Sequence, residues 1–162
     1  MMHLHSPSFR DGAWIPRQHT AAGETLSPPL AWSELPRGAR SLTLLLENLD
    51  IPSPAGRATP FLHWAVYDLQ PSLPGLELGA NRSGLPPGSQ VAVNDHGDRA
   101  YHLEVPPLGL YHYLFRLLAL DVFLDPEALR GDGRKKLFSA CDGHVLESAE
   151  LNAWYYREAR GS

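Results

Sequence analysis

The chain has 162 residues, of which 43% are hydrophobic and 20% charged, and its formal net charge at pH 7 is −4. These values fit one domain over residues 1–162, long enough to close a hydrophobic core. The negative charge argues against a nucleic-acid partner, which would require a basic face. No stretch of the sequence has the apolar length of a membrane span.

The cysteine content and the first residues bear on the compartment. Cys141 is the single cysteine of the chain, so no intramolecular disulfide can form. Residues 1–10 contain histidine, serine and proline and no apolar signal segment. We therefore expect a cytoplasmic protein, and we expect residues 1–8 to be loosely ordered.

The first two strong strands lie in the first half of the chain. Turn residues interrupt the first forty positions, and the chain holds 15 prolines and 14 glycines in all. Residues 41–46 are apolar at successive positions, which is typical of a strand buried on both faces. Residues 61–69 are rich in β-branched and aromatic side chains and predict the second strand.

The second half begins with a long loop and ends in predicted helices. Proline and glycine favour a loop over 70–88, followed by a short strand over 89–93 and a long strand over 112–124. Asp132 would cap a helix over 133–141. A second helix starting at residue 142 or 143 would place three apolar side chains on one side, namely Val145, Leu146 and Ala149.

These elements predict a mainly β fold. Residues 151–156 return to an extended pattern, so long strands dominate and the helices form a short C-terminal addition. We expect two packed antiparallel sheets with the helices at one edge. In the strand over 112–124 and just before it, alternation places Tyr111, Tyr113 and Phe115 on one face, and His112, Leu114 and Arg116 on the other.

Metal and nucleophile chemistry receive little support. The chain has eight histidines, but outside the His3/His5 pair none shows the short spacing on a strand or helix that zinc sites use. Cys141 has no CxxC partner, and no G-x-S-x-G motif occurs. We expect no metal, no cofactor and no catalytic residue, so a non-enzyme is favoured.

Eight short motifs occur in order between residues 11 and 155. In sequence letters they are DGAWIP from residue 11, GETLSPPLAW from 23, LDIP with PAG from 49, HW from 63, NDHG from 94, GLYHYLF from 109, LDV from 120, and GHVL with AEL from 143. Together they resemble the phosphatidylethanolamine-binding protein family, in its bacterial Raf-kinase-inhibitor-like branch.

The resemblance implies a fold and a binding site. The fold would be a large antiparallel sheet packed on a smaller one in a Greek-key arrangement, with C-terminal helices. A shallow pocket at one end of the sheet would accept phosphate, acetate or a phosphoryl head group. The family's kinase- and protease-inhibitor labels imply a protein partner, and a homodimer is possible. The ligand-binding residues implied for this chain are Asn48, Asp50, Pro52, His63, Trp64, Pro106, Tyr111 and Tyr113.

Two pocket positions depart from the family pattern. Asn48 stands where the family has an acidic residue, and Tyr111 stands where it has a histidine. His112 cannot replace that histidine, because a shift of one residue along a strand turns the side chain to the other face. Since charge-assisted hydrogen bonds are stronger than neutral ones, we expect weaker or differently selective phosphate binding. Two other hypotheses stay open: a small hydrolase using His63 and Asp50, and a structural homodimer with a vestigial pocket.

Overall fold

The computed structural model describes residues 1–53, 56–103, 108–130 and 133–157, with the backbone alone at 52, 53, 56–58 and 133. The strands of these residues are β1 His3–His5, β2 Ala13–Trp14, β3 Leu30–Ser33, β4 Ser41–Ser53, β5 Gly56–Leu69, β6 Gly75–Leu76, β7 Gln90–Val91, β8 Gly109–Leu120 and β9 Val145–Arg157. The helices are α1 Ala80–Ser83 and α2 Gly133–Cys141, with a 3₁₀ turn at Arg17–His19.

Two sheets form the fold. The large sheet has the order β2-β9-β8-β4-β5-β7 and the small sheet the order β1-β3-β6. β4 lies at the centre of the large sheet and pairs antiparallel with both β5 and β8. At the edge, β2 pairs with β9 in parallel. The predicted mainly β architecture of two packed sheets is confirmed.

The large sheet is buried on both faces, as the apolar run over 41–46 predicts. Leu42, Leu44 and Leu46 contact the core between the two sheets, whereas Leu45 contacts a second core. This second core lies between the large sheet and helix α2, which contributes Leu137 and Cys141. A strand in this position needs apolar side chains at successive residues rather than at alternate ones.

The alternation predicted for β8 is confirmed. Tyr113 and Phe115 belong to the core between the sheets, and Leu118 belongs to the core under α2. His112 lies on the outer face with its ring stacked on Trp154 at 4.3 Å between ring centroids. The strand covers Gly109–Leu120, so it begins and ends earlier than the predicted 112–124.

The second predicted C-terminal helix is wrong. Helix α2 covers Gly133–Cys141 as expected, while Asp132 lies outside the described residues. The chain then leaves the helix at Gly143, whose φ of +81° is accessible to glycine at little cost. Strand β9 follows and buries Ala149, Leu151 and Ala153. Their spacing of two residues is the strand period, which outweighs the helix-like spacing of Val145 and Leu146, both exposed.

The structure adds smaller elements where the sequence predicts loops. The segment 70–88 contains β6 and the short helix α1. The segment 1–8, for which we expected loose order, contains β1, which pairs with β3 and buries Met2 and Leu4 in the core between the sheets. Among the described residues, no helix is long and apolar enough to cross a bilayer.

Candidate functional site

The site lies where three strands of the large sheet meet at one end. Because β4 is antiparallel to β5 and β8, its last residues lie beside their first ones. Asn48 of β4 is paired with Phe61 of β5 on one side and with Tyr113 of β8 on the other. This arrangement brings side chains that are 65 residues apart in sequence into one end of the sheet.

His63 lies at a β-bulge in β5, which sets the direction of its side chain. The register passes from Leu46–Trp64 to Glu47–Leu62, so His63 is the extra residue without a partner of its own in β4. The bulge also separates its neighbours, because Leu62 joins the core under α2 and Trp64 joins the core between the sheets. Bulges occur often next to functional sites, where they redirect a side chain.

His63 is a buried and neutral histidine. Its side chain is 4% exposed, and Nδ1 donates a hydrogen bond to the His102 carbonyl oxygen at 2.9 Å. Burial lowers the pKa of His63 to about 4, although the hydrogen bond to the His102 carbonyl raises it. The neighbouring imidazoles of His96 and His102 lower it further, and Asp95 opposes them. With the proton on Nδ1, the Nε2 atom is a hydrogen-bond acceptor. Nε2 has no hydrogen-bond partner within the part of the chain that the structure describes.

Asn48 supplies a matching donor. The residue is 0% exposed, and its Oδ1 accepts the backbone N–H of Asp50 at 2.9 Å. This bond fixes which end of the amide is oxygen, since an N–H must face an acceptor. The Nδ2 atom of Asn48 is buried and makes no hydrogen bond of good geometry to any described residue, although the amide lies near enough to the Tyr113 hydroxyl to favour the ionised phenol. The Asp50 carboxylate is engaged elsewhere, because Oδ2 accepts the backbone N–H of His112 at 2.6 Å.

Tyr113 contacts both of these side chains. Its ring packs edge-on against His63 with 5.6 Å between centroids. Burial, and then the neighbouring Tyr155 and Tyr111, raise the pKa of Tyr113 far above its usual range, and the Asn48 amide opposes this shift only in part. The phenol is therefore neutral at physiological pH. Tyr111 is half-buried nearby, and its hydroxyl donates to the Leu108 carbonyl oxygen at 3.4 Å.

Aromatic rings form one wall of the site. Phe61 lies 5.0 Å from His63 and 4.7 Å from His96, and His96 lies 4.0 Å from His102, all between ring centroids. The motif at 94–97 contains His96, but the resemblance implies no ligand-binding role for Phe61, His96 or His102. No three metal-ligating side chains among the described residues converge closely enough to hold an ion.

A buried ion pair supports the bulge. Asp95 Oδ2 accepts the N–H of Leu62 at 2.7 Å and lies 2.9 Å from the guanidinium of Arg134 in helix α2. Asn94 donates to the His63 carbonyl oxygen at 3.1 Å. The turn after β7 and the helix α2 thus hold the start of β5 from two sides. Sequence reasoning missed Asp95 and Arg134, since nothing in the sequence places them together.

The structure brings only some of the predicted pocket residues together. The structure brings Asn48, His63 and Tyr113 together, while Asp50 and Tyr111 lie beside them with other partners. Trp64 is buried in the core between the sheets, where its ring meets Tyr101 edge-on at 5.0 Å. The remaining two residues are the prolines. The backbone of Pro52 pairs with Pro60 within the two strands, its side chain is not described, and Pro106 lies outside the described residues. The ligand-binding role of these residues stays a prediction.

The fold and the sequence both have close counterparts among known proteins. The family profile described as phosphatidylethanolamine-binding protein matches residues 5–156. A UPF0098 protein of Methanothermobacter thermautotrophicus is 38% identical over 157 residues, covering 96% of this chain and 99% of the relative. A UPF0098 protein of Chlamydia trachomatis is 34% identical over 157 residues, covering 97% of this chain and 100% of the relative.

Two solved structures share the architecture. The crystal structure of the phosphatidylethanolamine-binding protein homologue CT736 from Chlamydia trachomatis matches with a TM-score of 0.84 at 34% identity, covering 97% of this chain and 98% of that one. Escherichia coli YbcL, described as a member of the mammalian PEBP family, also matches with a TM-score of 0.84, covering 97% of this chain and 99% of its own. Its identity is 23%, so it bears on the fold alone.

Proposed function

Since the chain belongs to the phosphatidylethanolamine-binding protein family, we propose that it is a non-enzymatic binding protein for a small anion or a phosphoryl head group. The observation that carries the proposal is the pair of buried polar atoms without partners, Nε2 of His63 and Nδ2 of Asn48. Leaving such an atom unsatisfied costs about 1–3 kcal/mol. Two of them at one strand end are typical of a site that a ligand completes.

The same pair argues against a vestigial pocket in a purely structural homodimer. A site that had lost its ligand could replace these polar groups with apolar side chains at little cost. The surrounding side chains favour modest affinity, because His63, Asn48 and Tyr113 are all neutral near pH 7. Neutral hydrogen bonds are roughly half as strong as charge-assisted ones, so we expect weaker phosphate binding than the family pattern implies.

The hydrolase alternative finds no support in the site geometry. The Asp50 carboxylate accepts the His112 N–H, and His63 Nδ1 donates to a backbone carbonyl, so Asp50 does not orient His63. Cys141 is no better as a nucleophile, because burial raises the pKa of its thiol to about 11. A His63→Ala variant separates the hypotheses, since a hydrolase would lose turnover of ester and phosphoester substrates with this change.

Calorimetric titration with inorganic phosphate and phosphoethanolamine tests the binding proposal. We expect saturable but weak binding to the wild type, and a loss of at least about tenfold in affinity in His63→Ala, since one hydrogen bond to a buried group contributes about 1.5 kcal/mol. His144→Ala is the matched control, because His144 is half-exposed and pairs with Asp121 away from the site. Equal binding by both variants, or none by the wild type, would contradict the proposal.

The wider setting of this function follows from the family alone. The kinase- and protease-inhibitor labels of the family suggest that ligand binding modulates a kinase or protease partner. The single cysteine, Cys141, is compatible with a reducing compartment, and we place the function in the cytoplasm. A homodimer is a further possibility that these family labels leave open.

A further inference from the structure

The two atoms without partners are opposite in hydrogen-bonding character. Asn48 Nδ2 is a donor, because Oδ1 of the same amide already accepts the Asp50 N–H. His63 Nε2 is an acceptor, because Nδ1 carries the proton that bonds to the His102 carbonyl oxygen. Tyr113 lies against the ring of His63 and opposite Asn48 in the sheet, so the two side chains lie at the same end of the large sheet.

The surroundings of His63 keep it an acceptor between pH 5 and pH 8. His96 and His102 disfavour a positive charge on the ring, Tyr113 is neutral, and the Asp95 carboxylate is paired with Arg134. With a pKa of about 4, protonating His63 would cost a factor of about 10 in affinity at pH 5 and about 1,000 at pH 7. A fully ionised anion would therefore place an oxygen lone pair against the lone pair of Nε2.

We propose that this site selects ligands that donate a hydrogen bond, and that it takes a phosphoryl group in its singly protonated, monoanionic form. The ligand P–O–H donates to Nε2 of His63, while a second oxygen accepts the N–H of Asn48 Nδ2. The inference rests on the proposed function and names the ligand class of the same site. The neutral amide at position 48 is compatible with a ligand that carries one negative charge and one O–H group that donates a hydrogen bond.

Two ligands of similar shape and different proton content test the inference. Methyl phosphate has a second pKa of about 6, so it is mostly monoanionic with one O–H at pH 5 and mostly dianionic at pH 8. Methyl sulfate is a monoanion without a proton at both values. Calorimetry on the full chain at pH 5 and pH 8 gives four affinities, and methyl sulfate reports any change that pH causes in the protein itself.

We expect methyl phosphate to bind at pH 5 about tenfold or more tightly than methyl sulfate, and to lose about 10- to 100-fold in affinity at pH 8 relative to the methyl sulfate reference. His63→Ala should remove this preference, and His144→Ala should keep it. Methyl sulfate binding as tightly as methyl phosphate at pH 5, or methyl phosphate binding no more weakly at pH 8, would overturn the inference while leaving the pocket intact. Binding of neither ligand at either pH would instead refute the proposed function. The four wild-type affinities decide the matter even if His63→Ala does not fold.

Discussion

At the scale of single residues, position 48 carries a neutral amide at the strand end that holds His63 and Tyr113. An acidic residue there would place a carboxylate at the strand end that holds His63 and Tyr113, and a nearby carboxylate favours the charged imidazole. With the amide of Asn48 in its place, burial dominates and His63 stays neutral.

The variant Asn48→Asp should raise the pKa of His63. The new carboxylate can still accept the Asp50 N–H that Oδ1 of Asn48 accepts now. We expect the pKa of His63 to rise by at least about one unit from its value of about 4. An NMR titration of the histidine ring resonances measures the shift, and His144 in the same spectra is the internal reference. An unchanged His63 would show that position 48 does not control its protonation.

The residues of the site could be predicted in part from the sequence. Order and spacing of short motifs led to Asn48, His63 and Tyr113, which the structure brings together. The hydrogen-bonding state of His63 could not be predicted, because it depends on the His102 carbonyl, which approaches from a separate loop 39 residues along the chain. The ring contacts of Phe61, His96 and His102 could not be predicted for the same reason. They depend on how the loop that carries His96 and His102 packs against β5.

At the scale of elements, two local patterns were open to misreading. Val145, Leu146 and Ala149 have a helical spacing, but the alternation of Ala149, Leu151 and Ala153 decides that β9 is a strand. In β5 a simple alternation would place Leu62 and Trp64 on one face, and the bulge at His63 places them on opposite faces. A bulge is set by pairing with the neighbouring strand and leaves no periodic signal in its own sequence.

The ion pair between helix α2 and the turn at Asp95 should be essential for stability. The side chains of Arg134 and Asp95 are 11% and 6% exposed, so Arg134→Met leaves a buried carboxylate without its cation. We expect a loss of about 3–5 kcal/mol in the free energy of unfolding, measured by urea denaturation. Arg130→Met is the matched control, because Arg130 and Glu127 are 73% and 78% exposed, and it should cost less than about 1 kcal/mol. Similar losses in both variants would show that the buried pair does not stabilise α2 against the sheet.

At the scale of the whole molecule, two buried histidines connect the sandwich to its loops. His63 joins β5 to the loop carrying His102. His19 accepts a hydrogen bond from the Ser8 hydroxyl at Nε2 (2.8 Å) and donates from Nδ1 to the Leu26 carbonyl oxygen (2.9 Å). The Tyr101 hydroxyl donates to the His19 backbone carbonyl at 2.7 Å, so this loop is anchored beside Trp64 as well. Both imidazoles take part as neutral rings, because burial lowers both pKa values.

This use of neutral histidines predicts a fold that loses stability in mild acid. Below pH 6.5 both histidines become protonated in the unfolded chain, whereas the folded chain keeps His63 neutral down to about pH 4. The unfolded state then binds more protons, so the free energy of unfolding falls with decreasing pH across that window. For His63 alone the loss amounts to about 3 kcal/mol. His19 adds to it, and Asp68, whose pKa is raised mainly by burial, opposes it.

Urea denaturation of the wild type and of His63→Gln at several values between pH 7 and pH 4 measures this dependence. Glutamine keeps a polar side chain at position 63 but does not titrate, so His63→Gln should show a shallower slope against pH whatever its stability at pH 7. Parallel slopes for wild type and His63→Gln would mean that His63 has the same pKa in the folded and the unfolded protein. Burial would then not keep Nε2 a neutral acceptor in mild acid, and the proposed choice of ligand would lose its basis.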